Sequence, residues 1–383
     1  MIYLDNSATT YPKPLSVVNA VGESFRKYCA NPGRSGHKMS LDTAQKVYEC
    51  RNNIKNLFKA SNENNVIFTP SCTYSINYVI KGYLKPNDHV IISSLEHNCV
   101  VRPLEKLQRA GLITYSVATV YENDDEKTIE SFRSKINSST RLIICTHASN
   151  VFGIKVPVER ICALAKIYEI AFCLDAAQTA GIFDIDLSKN NYDFVCIAGH
   201  KGLYSPMGIG VLIINNDKNL DTLVEGGTGS MSFDLEQPMF LPDRFESGTL
   251  NVPAICGLSA GAKFVSMQTP KKIYEKEKRH IMKIYNSLIE NKNIKFYTDL
   301  SQENHNAPVL SFNIKGKDCE DVASILSSRY NIAVRAGLHC APLAHKSMGT
   351  IDSDTVRISP SFFTTDNEIN AFINAVNKIS KIS

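Results

Sequence analysis

No stretch of this 383-residue sequence is apolar over the ~20 residues that are needed to cross a bilayer. The first residues, Met1 to Asn6, lack the basic flank and the apolar stretch of a secretory signal peptide. Neither sign of charge dominates, because 42 Lys and Arg face 38 Asp and Glu, so no strong field attracts nucleic acid or a membrane surface. We therefore expect a cytoplasmic protein whose partners are neither nucleic acids nor membranes.

The sequence also lacks paired cysteines, although it contains 11 of them. There is no Cys-x-x-Cys motif and no closely spaced framework, and several cysteines lie inside apolar runs, as at 142–145 and 171–174. Such cysteines behave as small buried hydrophobic residues in a reducing compartment. The pattern predicts neither disulfides nor a metal site.

Short apolar runs, rich in β-branched residues, recur through the first part of the chain. Their apolar positions are nearly continuous instead of alternating, which is typical of strands that are covered on both faces in a mostly parallel sheet. Segments with helical periodicity lie between them, for example 40–60 and 158–168. This alternation predicts a doubly wound α/β domain. The runs are 66–69, 89–92, 141–145, 171–174, 194–197 and 210–214.

The pattern changes after about residue 257. Helical segments at 260–287 and 321–330 flank strand-like runs at 309–314 and 355–358. We therefore predict a large domain over residues 1–257 and a smaller α+β domain over residues 258–383. A long helical stretch near 260–291 would join the two domains, and the first ~15 residues would pack on the small domain.

Polar side chains follow the apolar runs at five consecutive strand ends. Ligands of an open parallel sheet bind at the carboxyl ends of its strands, so these residues are the candidates for a functional site. They include hydroxyls, amides, imidazoles, carboxylates and one lysine. In chain order they are Thr69, Ser71, Cys72, Thr73, Glu96, His97, Asn98, Thr146, His147, Ser149, Asn150, Asp175, Gln178, His200 and Lys201.

Asp175 and Lys201 each allow a functional and a structural interpretation. A carboxylate directly after the apolar run 171–174 needs a cation, and the protonated pyridine nitrogen of pyridoxal phosphate (PLP) is one. A helix N-cap is the alternative, and the local sequence favours it. Lys201 follows His200 in a glycine-flanked turn, where desolvation and a neighbouring cation would lower its pKa as a nucleophile requires. A surface lysine in a turn is the alternative.

The same two interpretations apply to the residues that precede the predicted helices. His97 would stack on a flat cofactor or act as a structural hydrogen-bonding group. Ser71, Cys72 and Thr73 would form an anion site at a helix start, or only cap the helix. No Gly-x-x-x-x-Gly-Lys-Ser/Thr phosphate loop exists in the sequence.

Cys340 lies among small and polar residues, unlike most cysteines of this chain. The neighbouring His339 would favour the thiolate, which makes Cys340 a candidate nucleophile, with an incidental loop cysteine as the alternative. Arg335 and Arg357 are candidate clamps for a carboxylate, because a guanidinium binds a carboxylate bidentately. Ordinary surface arginines are the alternative.

Taken together, these residues resemble the class V aminotransferase group of fold-type I PLP enzymes, in the branch of cysteine desulfurases and selenocysteine lyases. The resemblance covers nearly the whole chain and implies the PLP-dependent transferase fold type I. This fold has a mostly parallel seven-stranded sheet domain and a smaller α+β C-terminal domain. The motifs that carry it lie at residues 3–10, 174–178, 199–201, 244–249 and 335–341.

The resemblance implies a role for each cofactor-binding residue. Lys201 would carry PLP as a Schiff base, and Asp175 would pair with its pyridinium nitrogen. Gln178 would bond the phenolic oxygen and His97 would stack on the ring, with a catalytic role. The remaining residues would hold the phosphate: Cys72, Thr73 and His200 in the same subunit, and Thr249 from the other subunit of a homodimer. Compared with the family, Cys72 and Ala198 each replace a hydroxyl residue near the phosphate.

The resemblance also implies the reaction and its substrate contacts. Asn150 and Arg335 would bind the substrate carboxylate, and His37 and Arg357 complete the predicted substrate set. Cys340 would take the sulfur of L-cysteine as a persulfide, release L-alanine, and pass the sulfur to an acceptor protein. Selenocysteine lyase or another PLP-dependent β-lyase is the first alternative, and an aminotransferase is less favoured. A non-catalytic scaffold of this fold or a sulfur-carrier partner is an alternative of a different class.

Overall fold

The computed structural model describes residues 1–33, 35–215, 218–301 and 306–381. Its strands, in chain order, are β1 (Ile2–Tyr3), β2 (Val66–Thr69), β3 (His89–Ser93), β4 (Thr114–Ala118), β5 (Thr140–Thr146), β6 (Ala171–Asp175), β7 (Phe194–Ala198), β8 (Gly210–Ile214), β9 (Ile294–Phe296), β10 (Leu310–Ile314), β11 (Ile332–Ala333), β12 (Arg335–Gly337) and β13 (Thr355–Ile358).

The α-helices follow the strands through most of the chain. They are α1 (Leu15–Lys27), α2 (Lys38–Phe58), α3 (Cys72–Tyr83), α4 (Asn98–Arg109), α5 (Asp125–Arg133), α6 (Val158–Ile167), α7 (Val252–Gln268), α8 (Pro270–Leu288), α9 (Cys319–Tyr330), α10 (Pro342–Ser347) and α11 (Asp366–Ile379).

A seven-stranded sheet organises the first two thirds of the molecule, in the order β2-β8-β7-β6-β5-β3-β4. In this sheet β8 runs antiparallel to the other six strands. Every residue of β2, β3, β6, β7 and β8 is buried, because hydrophobic clusters cover both faces. The predicted α/β fold with a mostly parallel seven-stranded sheet is confirmed.

A four-stranded antiparallel sheet, in the order β12-β13-β10-β9, forms the smaller part. Its core includes Phe312, Ile358 and Phe372, together with Leu4 from the start of the chain. Strand β1 pairs in parallel with β11, so the first residues of the chain lie against this smaller part.

Two helices occupy the region for which one long connecting helix was expected. Helix α7 ends at Gln268 and α8 begins at Pro270, where the Thr269 side chain accepts a hydrogen bond from the Lys272 N–H. Proline is favoured at the first position of a helix and disfavoured inside one, so it separates the two. The boundary predicted between residues 257 and 258 falls within α7, whose buried residues pack in the core of the large sheet.

Two further features of the described part of the chain are the length of its helices and the state of its cysteines. None of its helices is both long enough and apolar enough to cross a membrane. All 11 cysteines are free, and nine of them are buried. The interpretation of most cysteines as buried apolar residues is therefore confirmed.

A buried ion pair connects α2 to the edge of the large sheet. The Arg51 guanidinium bonds the Glu246 carboxylate and the Val66 carbonyl, and Glu246 Oε1 accepts the Phe68 N–H at 2.6 Å. Both side chains of the pair are buried. Removing one member of such a pair leaves an uncompensated charge in the interior.

We therefore expect Arg51→Ala to lower the free energy of unfolding by about 3–5 kcal/mol, because Glu246 loses its cation. Denaturant unfolding at fixed protein concentration measures this change. Arg133→Ala is the matched control, since its pair with Glu130 is exposed and worth about 0–1 kcal/mol. Equal denaturation midpoints for the wild-type protein and Arg51→Ala would contradict the assignment.

Candidate active site

A cavity of about 240 Å³ opens at the carboxyl ends of the strands of the large sheet. Ten of the residues to which the family resemblance gave a role in the site line it, although they come from distant segments of the chain. Parallel strands bring their carboxyl ends to one edge, which explains the convergence. The ten are Cys72, Thr73, His97, Asn150, Asp175, Gln178, His200, Lys201, Arg335 and Arg357.

Lys201 reaches the cavity from the turn that follows β7. Burial lowers the pKa of its amine, the nearby Arg357 guanidinium lowers it further, and Asp175 acts in the opposite direction. The backbone of the turn is held from outside, because Thr10 Oγ1 donates to the carbonyls of His200 and Lys201 at 3.1 Å each. A side chain on Gly202 would collide with the Ala180 carbonyl, so the turn requires glycine there. Lys201 is thus not an ordinary surface lysine.

Asp175 ends β6 and is buried, with 3% of its surface exposed. Its Oδ1 accepts the Ala177 N–H at 2.9 Å. Burial raises the pKa of this carboxyl, while the Ala177 N–H and the Lys201 ammonium lower it. The segment after Asp175 forms a turn and no α-helix, so the helix-cap interpretation is wrong. A buried carboxylate that faces a cavity requires a cation.

His97 is a structural hydrogen-bonding group whose ring also faces the cavity, and its stacking on a cofactor stays a prediction. Its Nδ1 accepts the Cys99 N–H at 3.1 Å, which caps α4, while the ring lines the cavity. Burial, followed by the charge of Lys201, lowers the pKa of His97 to about 4. The ring is therefore neutral near pH 7, and a neutral ring stacks on a flat ligand without carrying a charge into the cavity.

The start of α3 and His200 both line the cavity. Ser71 caps α3 by accepting the Tyr74 N–H, and the first helical residues are Cys72 and Thr73. His200 Nδ1 is buried and has no hydrogen-bond partner among the described residues. A helix N-terminus beside an unpaired donor-capable ring is suited to a phosphate group.

Arg357 lines the cavity and is fully buried, so it is not an ordinary surface arginine. Its Nη2 donates to Asp5 Oδ1 at 2.6 Å and its Nη1 donates to the Asn150 carbonyl at 3.0 Å. Its Nε is buried without a partner in the described ranges. Arg335 also lines the cavity, from β12. The two guanidiniums bring positive charge to the cavity.

Cys340 is exposed and follows β12 in a constrained loop. His339 and Cys340 both adopt left-handed backbone conformations, with φ values of 52° and 57°. The loop is anchored because the Asn98 N–H donates to the Cys340 carbonyl and Asn150 Nδ2 donates to the His339 carbonyl, both at 2.8 Å. Arg335 Nη2 lies 3.9 Å from the Cys340 sulfur. The thiol is thus held beside a permanent cation.

The expectation that His339 favours the Cys340 thiolate is wrong. The His339 ring is buried, stacks on His345 and lies with Nε2 3.3 Å from the Arg335 carbonyl. Burial and the charge of Arg357 lower the pKa of His339 to about 2, so the ring is neutral at physiological pH. The cation that contacts the thiol is Arg335. The local sequence does not indicate which of Arg335 and His339 would carry the charge beside Cys340.

The comparison of this sequence with protein families gives one match over nearly the whole chain. The profile described as aminotransferase class-V matches residues 2–372. The chain belongs to the class V aminotransferase family. The resemblance that the motifs indicated is therefore confirmed.

Relatives of this chain are known as sequences and as structures. A protein named probable cysteine desulfurase from Pyrococcus abyssi is 32% identical over 394 residues, which cover 100% of this chain and 94% of the relative. Another of the same name, from Methanothermobacter thermautotrophicus, is 30% identical over 378 residues and covers 96% and 92%. The apo structure of cysteine desulfurase from Thermococcus onnurineus NA1 superposes with a TM-score of 0.91 at 29% identity, covering 99% and 94%.

His37 and Thr249 do not line the cavity. His37 is exposed and begins α2, where its Nδ1 accepts the Ser40 N–H at 3.3 Å. Thr249 is exposed as well, and its hydroxyl accepts a hydrogen bond from Asn31 Nδ2 at 3.4 Å. The predicted substrate contact of His37 has no support within the single chain. The predicted contact of Thr249 with a second subunit stays a prediction.

Sequence reasoning missed three residues that shape the cavity. Asp5 binds Arg357, Cys99 lines the cavity beside Asp175, and Lys13 Nζ donates to the His200 carbonyl at 2.8 Å. Asp5 belongs to the motif at residues 3–10, which was recognised without a role for each member. Cys99 gave no signal, because a cysteine in a helix resembles a core residue.

Glu96 is buried at the ends of β3 and β5, next to strand ends that contribute residues to the cavity. Its Oε1 accepts the Ser93 hydroxyl and, at 2.8 Å, the Thr146 N–H, while Oε2 is buried without a partner in the part of the chain that the structure describes. Burial raises the pKa of this carboxyl to about 8. The folded protein therefore retains a proton there that the unfolded chain releases near its ordinary pKa of 4.5.

The stabilising contribution of Glu96 is complete below pH 4.5 and is lost as the pH rises towards about 8. Glu96→Gln cannot titrate, so the wild-type protein should lose about 3–5 kcal/mol relative to this variant across that range. Denaturant unfolding at a series of pH values measures the difference. Glu130→Gln, an exposed residue, should follow the wild-type curve. A pH-independent difference for Glu96→Gln would contradict the pKa assignment.

Proposed function

We propose that this member of the class V aminotransferase family is a PLP-dependent cysteine desulfurase, which converts L-cysteine to L-alanine and retains the sulfur on Cys340. The observation that carries the proposal is the opposition of the Lys201 amine and the Asp175 carboxylate in one cavity, with the exposed Cys340 thiol beside Arg335. The relatives named cysteine desulfurase, which match over nearly the full chain, support the same reaction.

The residues of the cavity fit PLP at each of its polar groups. Asp175 is a buried carboxylate that needs a cation, and the pyridine nitrogen would supply one. The unpaired His200 Nδ1 and the N-terminus of α3 would hold the phosphate, and Lys201 would bind the aldehyde carbon. Gln178 would bond the phenolic oxygen and His97 would stack on the ring. When bound, this cofactor accepts the electrons of a carbanion at the substrate Cα.

Lys201 would act as the base. Because its pKa is lowered, a larger fraction of its amine is neutral near pH 7, and a neutral amine can take the proton from the substrate Cα. Arg335 and Arg357 would bind the substrate carboxylate together with Asn150. The free Nε of Arg357 supports this role, since it is a buried donor without an acceptor among the described residues.

Cys340 would be the sulfur acceptor. Arg335 Nη2 lies 3.9 Å from its sulfur, and the nucleophilic form of a cysteine is the thiolate. The thiolate attacks the substrate sulfur, so that an S–S bond forms while the bond between that sulfur and Cβ breaks. The three-carbon remainder is protonated and leaves as alanine, and Cys340 keeps a persulfide. Because Cys340 is exposed, an acceptor protein could collect this sulfur.

The assembly and the compartment belong to the same proposal. A homodimer is supported by the exposed position of Thr249, which matches a family residue that reaches the phosphate of the other subunit. A reducing, cytoplasmic compartment is supported by 11 cysteines without a disulfide. A persulfide on an exposed cysteine also requires reducing surroundings to be released.

The role of Lys201 predicts that Lys201→Ala loses the covalent link to the cofactor. We expect no visible absorption band that borohydride bleaches after PLP is added, and a fall in alanine production on the order of 10³-fold. Absorbance and amino-acid analysis measure the two effects. Lys38→Ala, which removes an exposed lysine, is the control and should behave like the wild-type protein. An unchanged, bleachable band in Lys201→Ala would refute the cofactor assignment.

The role of Cys340 predicts a different pattern for Cys340→Ala. Cofactor binding should be preserved, because the thiol does not line the cavity, while multiple-turnover alanine production from L-cysteine falls on the order of 10²-fold or more. Mass spectrometry should detect a persulfide on Cys340 of the wild-type protein. Cys29→Ala, at the other exposed cysteine, is the control. Parallel reactions with selenocysteine and cysteine sulfinate test substrate choice. Full turnover by Cys340→Ala would exclude this acceptor.

A further inference from the structure

Two cysteines outside the proposed reaction face the carboxylate of Asp175. The Cys72 sulfur lies 3.7 Å from Oδ1, and the Cys99 sulfur lies 3.9 Å from Oδ2. Both thiols are nearly inaccessible, with 8% and 9% of the residue surfaces exposed. Cys72 is the first residue of α3 and Cys99 is the second of α4, so two helix starts carry a thiol to each side of one carboxylate.

The two thiols act as hydrogen-bond donors. Burial raises the pKa of Cys72 and of Cys99 well above the ordinary thiol value, and the negative charge of Asp175 raises both further. The S–H groups therefore keep their protons at physiological pH. Asp175 in its ionised form has only acceptors, so each thiol donates to the oxygen that it faces.

Sulfur in place of oxygen as the donor atom weakens the hydrogen bonds to the Asp175 carboxylate. A thiol is a weak donor, whereas a hydroxyl donates to a carboxylate at about 2.5–2.7 Å and much more strongly. Asp175 receives one backbone N–H at 2.9 Å and two weak S–H contacts. A buried carboxylate with weak donors is poorly stabilised by the protein, so it binds a cationic partner more tightly.

We propose that Cys72 and Cys99 are positioning residues that keep Asp175 basic and thereby set how tightly it holds the protonated ring nitrogen of the cofactor. This inference rests on the proposed function, since it concerns the same cavity. It gives Cys72 a role other than the phosphate contact that family resemblance indicates, because its side chain is directed at Asp175. It also explains why a cysteine at position 99 lines a polar cavity.

The decisive measurement is the pKa of the ring nitrogen in the holoenzyme, followed by the NMR shift of an isotope-labelled ring nitrogen during a pH titration. Cys99→Ser introduces a stronger donor, so the pKa should fall by about one unit, a tenfold change in protonation. Cys99→Ala removes a donor, so the pKa should rise. Cys72→Ser and Cys72→Ala should give the same pair of opposite shifts. A merely structural effect would shift the pKa of the ring nitrogen in the same direction in the Ser variant and in the Ala variant.

Cys162 provides the matched control, because it is a buried cysteine of α6 that does not contact Asp175. Cys162→Ser and Cys162→Ala should leave the ring-nitrogen pKa unchanged. Infrared spectroscopy of the cofactor-free protein can follow the S–H bands of Cys72 and Cys99, which are identified by their absence from Cys72→Ala and Cys99→Ala. We expect Asp175→Asn to shift these bands. This second measurement tests the thiol–carboxylate contact without any enzyme turnover.

Shifts of the same sign for Ser and Ala, or no shift at either position, would overturn the inference while the proposed function stands. S–H bands that do not respond to Asp175→Asn would overturn it as well. If the wild-type protein takes up no cofactor on Lys201, the proposed function fails and the coupling to the ring nitrogen fails with it. The inference would be supported if the Ser and Ala variants shift the ring-nitrogen pKa in opposite directions at both positions while the Cys162 variants leave it unchanged.

Discussion

The placement of the Lys201 amine and the buried Asp175 carboxylate in one cavity is the constraint on which the rest of the structure depends. An amine and a carboxylate inside a protein are costly to desolvate, and their shifted pKa values follow from that burial. They meet because β6 and β7 are adjacent parallel strands, so their carboxyl ends reach the same edge of the sheet. The continuous burial of these strands makes the environment dry enough for both shifts.

The two ends of the chain hold this arrangement in place. The first 13 residues bond the backbone of the Lys201 turn through Thr10 and Lys13, and they bond Arg357 of the smaller sheet through Asp5. The Cys340 loop is in turn bound to the large domain by its backbone carbonyls. The cavity is thus closed by contacts between parts that are distant in sequence, and the Cys340 thiol has a fixed position relative to the Lys201 amine.

Much of the fold and of the site could be predicted from the sequence because the relevant signals are local. Continuous apolar runs indicate buried parallel strands, and polar residues directly after them must lie at the binding edge. The same reasoning selected Lys201, Asp175 and His97, and the order and spacing of the motifs indicated the family. Pro270 in the sequence is also typical of the start of a helix, although the helical periodicity around it predicted one continuous helix.

Partners and desolvation were decided only by the tertiary structure, because they depend on residues that are far apart in the chain. Arg357 is buried against Asp5, 352 positions away, and no periodicity indicates that contact. His339 and Arg335 both lie close to Cys340 in sequence, yet packing makes the histidine neutral and leaves the arginine beside the thiol. The sequence by itself determined which residue types meet at the edge of the sheet, and the three-dimensional packing determined which charges they keep.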